Sequence, residues 1–303
     1  MIVNYRKVIN AVLNPNPQMP CTELYKGLGS EVYRIDTPTP LVVRFANEDE
    51  NHFKFQAELL EAIAANDEIA PRILFWEINE TANPFQGIQV QSYLPGSQLD
   101  HYPNPKESKA IVKSVYTMHQ RLCDVSGKFG PDNCATADDV LRNNFSKTDD
   151  CPIKEAADKL LEHKRYGELF TSERQYLSHF DLWPKNLLIE KEGEVIKVRI
   201  IDFDTIFGPK ILQPAILFSS CFLVSSLMFR SEYLPLSELD KVIEYWPESL
   251  DRQDLLLMMQ IFPIVIGLKA EYTFGRFPEY TQEHHNSNIR LLMGCLNNIW
   301  KWL

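Results

Sequence analysis

Over residues 21–45 short runs of apolar and β-branched positions are separated by Gly- and Pro-containing turns, the pattern of strands. Tyr33 and Ile35 form a short run after a turn at Gly27-Leu28-Gly29-Ser30, and Leu41-Val42-Val43-Arg44-Phe45 forms the next after Thr37-Pro38-Thr39-Pro40. From about 48 to 65 the pattern becomes that of a helix: Phe53, Ala57, Leu60 and Ala64 share one face, and the pattern ends before Pro71. Ile73-Leu74-Phe75-Trp76-Glu77-Ile78 and Gly87-Ile88-Gln89-Val90-Gln91-Ser92-Tyr93 predict two more strands around a polar turn at Asn83-Pro84. Leu94-Pro95-Gly96 then closes the sheet.

Beyond Gly96 the helical period dominates. Residues 106–122 and 154–165 each predict a helix, and 214–303 reads as mostly helical. One strand pair interrupts, at 186–190 and 195–203, joined by the turn Lys191-Glu192-Gly193-Glu194. A β-rich part followed by a larger helical part is the α+β class. It divides the chain into 1–94 and 95–303, with Leu94-Pro95-Gly96 as the hinge. The most apolar stretch, 214–229, is broken by Ser219, Ser220, Ser225 and Ser226. It falls short of the ~20 apolar residues of a membrane span, which predicts a buried helix and no membrane partner.

Charge and cysteine usage narrow the function classes. Thirty-one Lys and Arg against 41 Asp and Glu leave a net charge of −10, which disfavours nucleic acid as a partner because non-specific affinity comes from basic residues. The same charge suits a cationic small molecule, and solubility alone accounts for it equally well. The six cysteines are scattered without a C-x-x-C pair, and the first residues are not followed by an apolar stretch of signal-peptide length. Reduced thiols and a cytoplasmic location are expected.

The densest chemistry lies in Ser178-His179-Phe180-Asp181-Leu182-Trp183-Pro184-Lys185-Asn186, an H-x-D-x-x-x-x-N, with Asp202 following in Ile200-Ile201-Asp202-Phe203-Asp204. Phosphoryl transfer needs one carboxylate to orient and accept the proton of an attacking hydroxyl, and oxygen ligands to hold Mg²⁺ against nucleotide phosphates. Asp181 suits the first role, and Asn186 and Asp202 the second. Asn186 begins one arm of the predicted hairpin and Asp202 ends the other, so antiparallel pairing brings them to one end. Alone, each has a plainer reading: an isolated His-x-Asp is usually structural, and Asp202 and Asp204 suit a strand-end turn. Together, across one hairpin, they point to phosphoryl transfer.

With this set the chain resembles the aminoglycoside phosphotransferase and choline-kinase-like enzymes, small-molecule relatives of protein kinases, over about residues 20–300. Lys26-Gly27-Leu28-Gly29-Ser30-Glu31-Val32-Tyr33-Arg34-Ile35 resembles the family's glycine-containing phosphate loop. Val42-Val43-Arg44-Phe45 resembles its basic strand, and Gln56-Ala57-Glu58-Leu59-Leu60 its acidic helix. Ala70-Pro71-Arg72-Ile73-Leu74 resembles the following strand, Ser92-Tyr93-Leu94-Pro95-Gly96 the hinge and Met118-His119 the helix after it. The resemblance implies a bilobal kinase-like fold, with a five-stranded antiparallel sheet and one helix in the N-terminal lobe, and nucleotide bound between the lobes. It implies Asp181 as catalytic base, Asn186 and Asp202 as Mg²⁺ ligands, and Asp204 as an added water-mediated or supporting contact. Gly27, Gly29 and Ser30 would cradle phosphates, Arg44 would grip the α/β-phosphates with Glu58 orienting it, and backbone groups of Ser92 and Leu94 would bond adenine. On periodicity Glu61 competes with Glu58 for that role.

The activity implied is ATP- or GTP-dependent, Mg²⁺-requiring phosphorylation of a hydroxyl on a small molecule. The acceptor classes are an antibiotic, such as an aminoglycoside or macrolide, and a metabolite such as choline, a sugar, an amino acid or an amino-alcohol. The alternative is a nucleotide-binding protein of the same fold without turnover. Departures from the family matter. Phe180 replaces a frequent Gly, Gln213 stands where an Asp usually braces the loop after the metal site, and Asp202-Phe203-Asp204 is not Asp-Phe-Gly, which argues against a protein kinase. His119 reads as a core histidine. His284-His285 beside Glu283 lacks a third ligand for a metal. Glu271, Glu279 and Glu283, with Tyr272, Phe274 and Phe277, are candidates for a cationic acceptor pocket, and equally for solvated helix ends and helix packing.

Overall fold

The short strand runs of the first third become a five-stranded antiparallel sheet in the computed structural model, which describes residues 5–13, 19–26, 30–47, 49–64, 68–78, 85–130, 134–172, 174–273 and 281–303. The chain separates into two compact units, residues 1–96 with 199–201 and residues 97–198 with 202–303. The first contains α1 (Tyr5–Leu13), β1 (Cys21–Lys26), β2 (Ser30–Ile35), β3 (Leu41–Ala46), α2 (Glu50–Ile63), β4 (Ile73–Ile78) and β5 (Gly87–Ser92), with sheet order β1-β2-β3-β5-β4. Ile35, Leu41, Val43, Phe45, Ile88 and Val90 alternate onto one face, where they form a core with Val8 and Ile9 of α1. Full burial of such a side chain contributes about 1.5–3 kcal/mol. The sequence reading anticipated one helix in this unit; α1 is a second. The turns expected at 27–30 and 83–84 lie largely outside the described residues.

Asp49 caps α2, its side chain accepting from the backbone N–H groups of Asn51 and His52. The helix buries Phe53, Ala57 and Leu60 as the pattern predicts, together with Phe55, Gln56, Leu59 and Ile63. Its approach to β5 demands glycine at position 87: a Cβ there would lie 2.6 Å from three ring atoms of Phe53.

The second unit contains β6 (Ser97–Gln98), α3 (Pro105–Val125), α4 (Ala137–Lys147), α5 (Pro152–Glu162), α6 (Lys164–Ser172) and β7 (Tyr176–His179). It continues with β8 (Leu187–Glu192), β9 (Val195–Ile200), β10 (Thr205–Gly208), α7 (Leu212–Leu217), α8 (Leu236–Ile243), α9 (Arg252–Met258), α10 (Ile261–Thr273) and α11 (Gln282–Trp302). The predicted hairpin is β8–β9, with Gly193 at φ 61° in its turn and β6 added alongside β8. The helix expected over 154–165 is two, α5 and α6, divided at His163, and α4 is an addition. α7 runs on through π-helical turns at Phe218–Val224 and Ser226–Arg230. The resulting stretch, Leu212–Arg230, has 19 residues and is long and apolar enough to cross a membrane, which corrects the expectation that it falls short; Arg252–Tyr272 also qualifies. Both are 83% and 72% buried within the fold, respectively, and so serve as core helices.

Candidate active site

β7 and β10 pair antiparallel with Thr205 opposite His179, so the segment leaving β7 and the segment entering β10 share one end of a two-stranded sheet. The Phe180 N–H donates to the Asp204 carbonyl at 2.8 Å, tying the two together. Asp181 follows on one segment, and Asp202 and Asp204 lie on the other. The sequence reading found the β8–β9 hairpin but not this second pairing, whose signal is the short run Thr205-Ile206-Phe207.

After Asp181 the chain turns through one 3₁₀ turn (Pro184–Asn186), and the Asn186 N–H donates to the Trp183 carbonyl at 2.9 Å. The buried Asn186 side chain donates through Nδ2 to both the Asp181 carbonyl and its Oδ2, each at 2.8 Å. Base candidate and ligand candidate are thus locked to each other. Burial, and then the charges of Asp202 and Asp204, push the Asp181 carboxyl up to about 6, against the opposing pull of Lys185 and the bond from Asn186. Asp202 is held at φ 57°, a left-handed conformation that Asp tolerates better than most residues but that still costs about 1–2 kcal/mol.

The donor chemistry fits Mg²⁺, which takes oxygen ligands and is usually bound by one or two carboxylates together with substrate phosphates and water. Nδ2 of Asn186 is committed to Asp181, which leaves Oδ1 as the atom to offer a cation. Asp202 and Asp204 add anionic oxygens whose mutual repulsion with Asp181 a divalent charge would offset. Among the described residues no group of three or more His, Cys, Asp or Glu side chains forms a metal cage, so phosphate oxygens and water would complete the shell.

In the smaller unit Ser30 opens β2 opposite Ala46, and Arg44 lies on β3 opposite Val32 and Gln89. Arg44 Nη1 donates to Gln56 Oε1 at 3.1 Å. Glu58 does not orient it, contrary to expectation: its carboxylate faces Lys54 Nζ at 3.9 Å, and Glu61 accepts from the Trp76 indole. Gln56, 7% exposed, lies on the face of α2 turned to the sheet, whereas Glu58 is at its edge. The Ser92 N–H donates to the Arg72 carbonyl at 2.9 Å and its hydroxyl accepts from the Arg72 N–H, so of the backbone groups expected to bond adenine there the N–H is engaged. The Leu94 backbone makes no hydrogen bond among the described residues and keeps both groups for a ligand. Gly27 and Gly29 lie outside the described residues.

Gln213, where an Asp was expected, braces the loop in its own way. Its Oε1 accepts from the His179 N–H at 2.7 Å and its Nε2 donates to the His179 carbonyl at 3.3 Å. A carboxylate could do only the first. His119 is a core histidine, pushed down to about 4 by burial and by Lys210. At the α10 end Glu271 is already paired with His285 at 3.4 Å, and Lys147 covers the Tyr272 ring at 5.3 Å. Glu283 sits exposed in the first turn of α11, where the helix dipole favours an acid. Phe274, Phe277 and Glu279 lie outside the described residues.

Comparison with known proteins places this geometry in context. The profile of the phosphotransferase enzyme family matches residues 21–207. A search of curated proteins finds none that matches. Among solved structures, the choline kinase LicA from Streptococcus pneumoniae superposes with a TM-score of 0.66 at 15% identity, covering 98% of this chain and 100% of that one. A thermostable mutant of aminoglycoside phosphotransferase APH(4)-Ia, in ternary complex with AMP-PNP and hygromycin B, gives 0.63 at 16%, covering 97% and 98%. A Plasmodium vivax ethanolamine kinase gives 0.62 at 14%, covering 96% and 85%. These likenesses carry the fold.

Proposed function

This chain belongs to the phosphotransferase enzyme family, and we propose that it transfers the γ-phosphate of ATP to a hydroxyl of a small molecule with Asp181 as general base. The observation that carries the reading is geometric: the buried Asp181 carboxylate is fixed by Asn186 Nδ2 at 2.8 Å, on a segment bonded to the one that bears Asp202 and Asp204. Burial raises the carboxyl above the ordinary range, which favours its taking a proton from an attacking hydroxyl. Asp181 accepts the acceptor's hydroxyl proton as that oxygen bonds to the γ-phosphorus; the bond from phosphorus to the β,γ-bridging oxygen breaks, and ADP leaves. Asn186 Oδ1 and Asp202 would hold Mg²⁺, with Asp204 supporting it. Bound there, the ion supplies charge neutralisation on the phosphates. Arg44, held by Gln56, meets phosphate oxygens of the nucleotide, and the open Leu94 backbone pairs with adenine.

The acceptor is read as a cationic hydroxyl compound, an aminoglycoside or amino-alcohol. What supports this is the net charge of −10 and the small molecules for which the structural neighbours are named: hygromycin B, choline and ethanolamine. Glu271 and Tyr272 do not add to it, because both already have partners. The test is ADP release from Mg·ATP across a panel of hydroxyl compounds. Stimulation by cationic members above neutral ones of similar size supports the reading, and stimulation only by uncharged or anionic members removes the cationic part of it.

A further inference from the structure

α7 and its π-helical continuation hold the loop of Asp181 on both sides. Gln213 takes both backbone groups of His179, two residues before the base. One residue beyond it, the Leu182 carbonyl meets Ser220 Oγ at 2.6 Å and Cys221 Sγ at 3.0 Å. Leu182, Ser220 and Cys221 are fully buried. Successive side chains of an α-helix diverge and do not face a common neighbour. Here two of them reach a single carbonyl, and both lie in the π-helical turns Phe218–Val224, whose wider winding changes the angle between neighbours. Such turns inside helices are frequent at functional sites.

The donor count explains why two side chains are used. Ser220 Oγ is also 2.8 Å from the Ile216 carbonyl, and a hydroxyl has one proton. With the Cys221 thiol donating to Leu182, the hydroxyl proton is free for Ile216 and neither buried carbonyl is orphaned. Burial pushes the Cys221 thiol up to about 12, so it keeps its proton. Ser219 supplies a contrast: it is equally buried in the same turn, and its hydroxyl has no partner among the described residues.

We propose that Ser220 and Cys221 are positioning residues that, through the Leu182 carbonyl, fix the direction in which Asp181 presents its carboxylate. The role rests on Asp181 being the general base. The experiment uses the full chain with Mg·ATP, water serving as acceptor, and reads two quantities: the rate of ADP formation and hydrogen–deuterium exchange of the peptide spanning residues 178–187. The double variant Ser220→Ala/Cys221→Ala is expected to slow hydrolysis by about tenfold or more at saturating ATP, leave half-saturation by ATP within about twofold, and speed exchange in the loop. Cys221→Ser, which keeps a donor, should hydrolyse ATP faster than Cys221→Ala, and Ser219→Ala should match the wild type. Wild-type exchange or wild-type rate in the folded double variant overturns the proposal, as does an equal loss in Ser219→Ala. If the double variant does not fold, Cys221→Ala against Cys221→Ser decides, equal rates counting against it. A wild-type chain without any Mg²⁺-dependent ADP formation contradicts the phosphotransfer reading instead, and the exchange comparison then decides on its own whether the brace exists.

Discussion

Asp202 bears its carboxylate on a left-handed backbone at the mouth of the β10 segment, and it is the ligand that brings charge directly to the ion, since Asn186 is neutral and Asp204 only supports it. Asp202→Ala should therefore remove most of the Mg²⁺-dependent gain in ATP affinity, read by titrating ATP with and without the ion; a variant that keeps the full gain is not missing a ligand. Arg44 offers a comparison between neighbours. Gln56→Leu removes the Oε1 that holds it at 3.1 Å and should raise half-saturation by ATP about tenfold, the worth of one hydrogen bond to a charged group. Glu58→Gln should change little, and the reverse order would return the role to Glu58. The H-x-D-x-x-x-x-N and Asp202 could be read from the sequence because phosphoryl transfer restricts both residue type and order. Gln56 could not: two polar residues two apart on one helix are separated only by which face the sheet covers. Nor could the loss of the Ser92 N–H, since a contact with Arg72 twenty residues away leaves no local signal.

Secondary elements show where the stability of these arrangements comes from. Glu107, with no exposed side-chain surface, closes the capping box of α3 by accepting from the Asn104 N–H at 2.9 Å. It also meets Lys191 of β8 at 2.8 Å and His101 at 3.1 Å, linking the helix to the hairpin that follows Asn186. Burial works to raise the Glu107 carboxyl, but Lys191, the Asn104 N–H and His101 together hold it below the ordinary range. A folded pKa below the unfolded one gives stability that is complete above the ordinary carboxylate range and is lost as pH falls through it. Glu107→Gln should therefore cost about 1–3 kcal/mol near neutrality, with the gap to wild type in thermal unfolding narrowing as pH falls below the ordinary carboxylate range. A gap independent of pH would contradict this. In the smaller unit Gly87→Ala drives a methyl into Phe53 and should destabilise by about 1–3 kcal/mol, measured by denaturant unfolding; unchanged stability would mean that α2 can shift freely. The strands and α2 were legible because pattern and breakers agree over them. α1 was not, being nine residues long and ordered by what Val8 and Ile9 bury rather than by a cap or a long repeat. The division at His163 likewise has no sequence breaker.

At the scale of the whole molecule, the order of elements sufficed for the α+β class, while the kinase-like fold and the family were legible through the resemblance carried by the ordered motifs, above all Asp181, Asn186 and Asp202. The acceptor was far less legible. Its pocket depends on side chains brought from separate helices, and a carboxylate such as Glu271 looks free in sequence yet is paired with His285 in the fold. The central claim is that Asp181 accepts the acceptor's proton during transfer from ATP. It is tested most directly by measuring turnover and Mg·ATP affinity of Asp181→Asn with whichever hydroxyl compound stimulates ADP release by the wild-type chain. The account predicts a fall in turnover of ~10²–10⁴-fold with nucleotide affinity nearly unchanged, and turnover within a few-fold of wild type would contradict it.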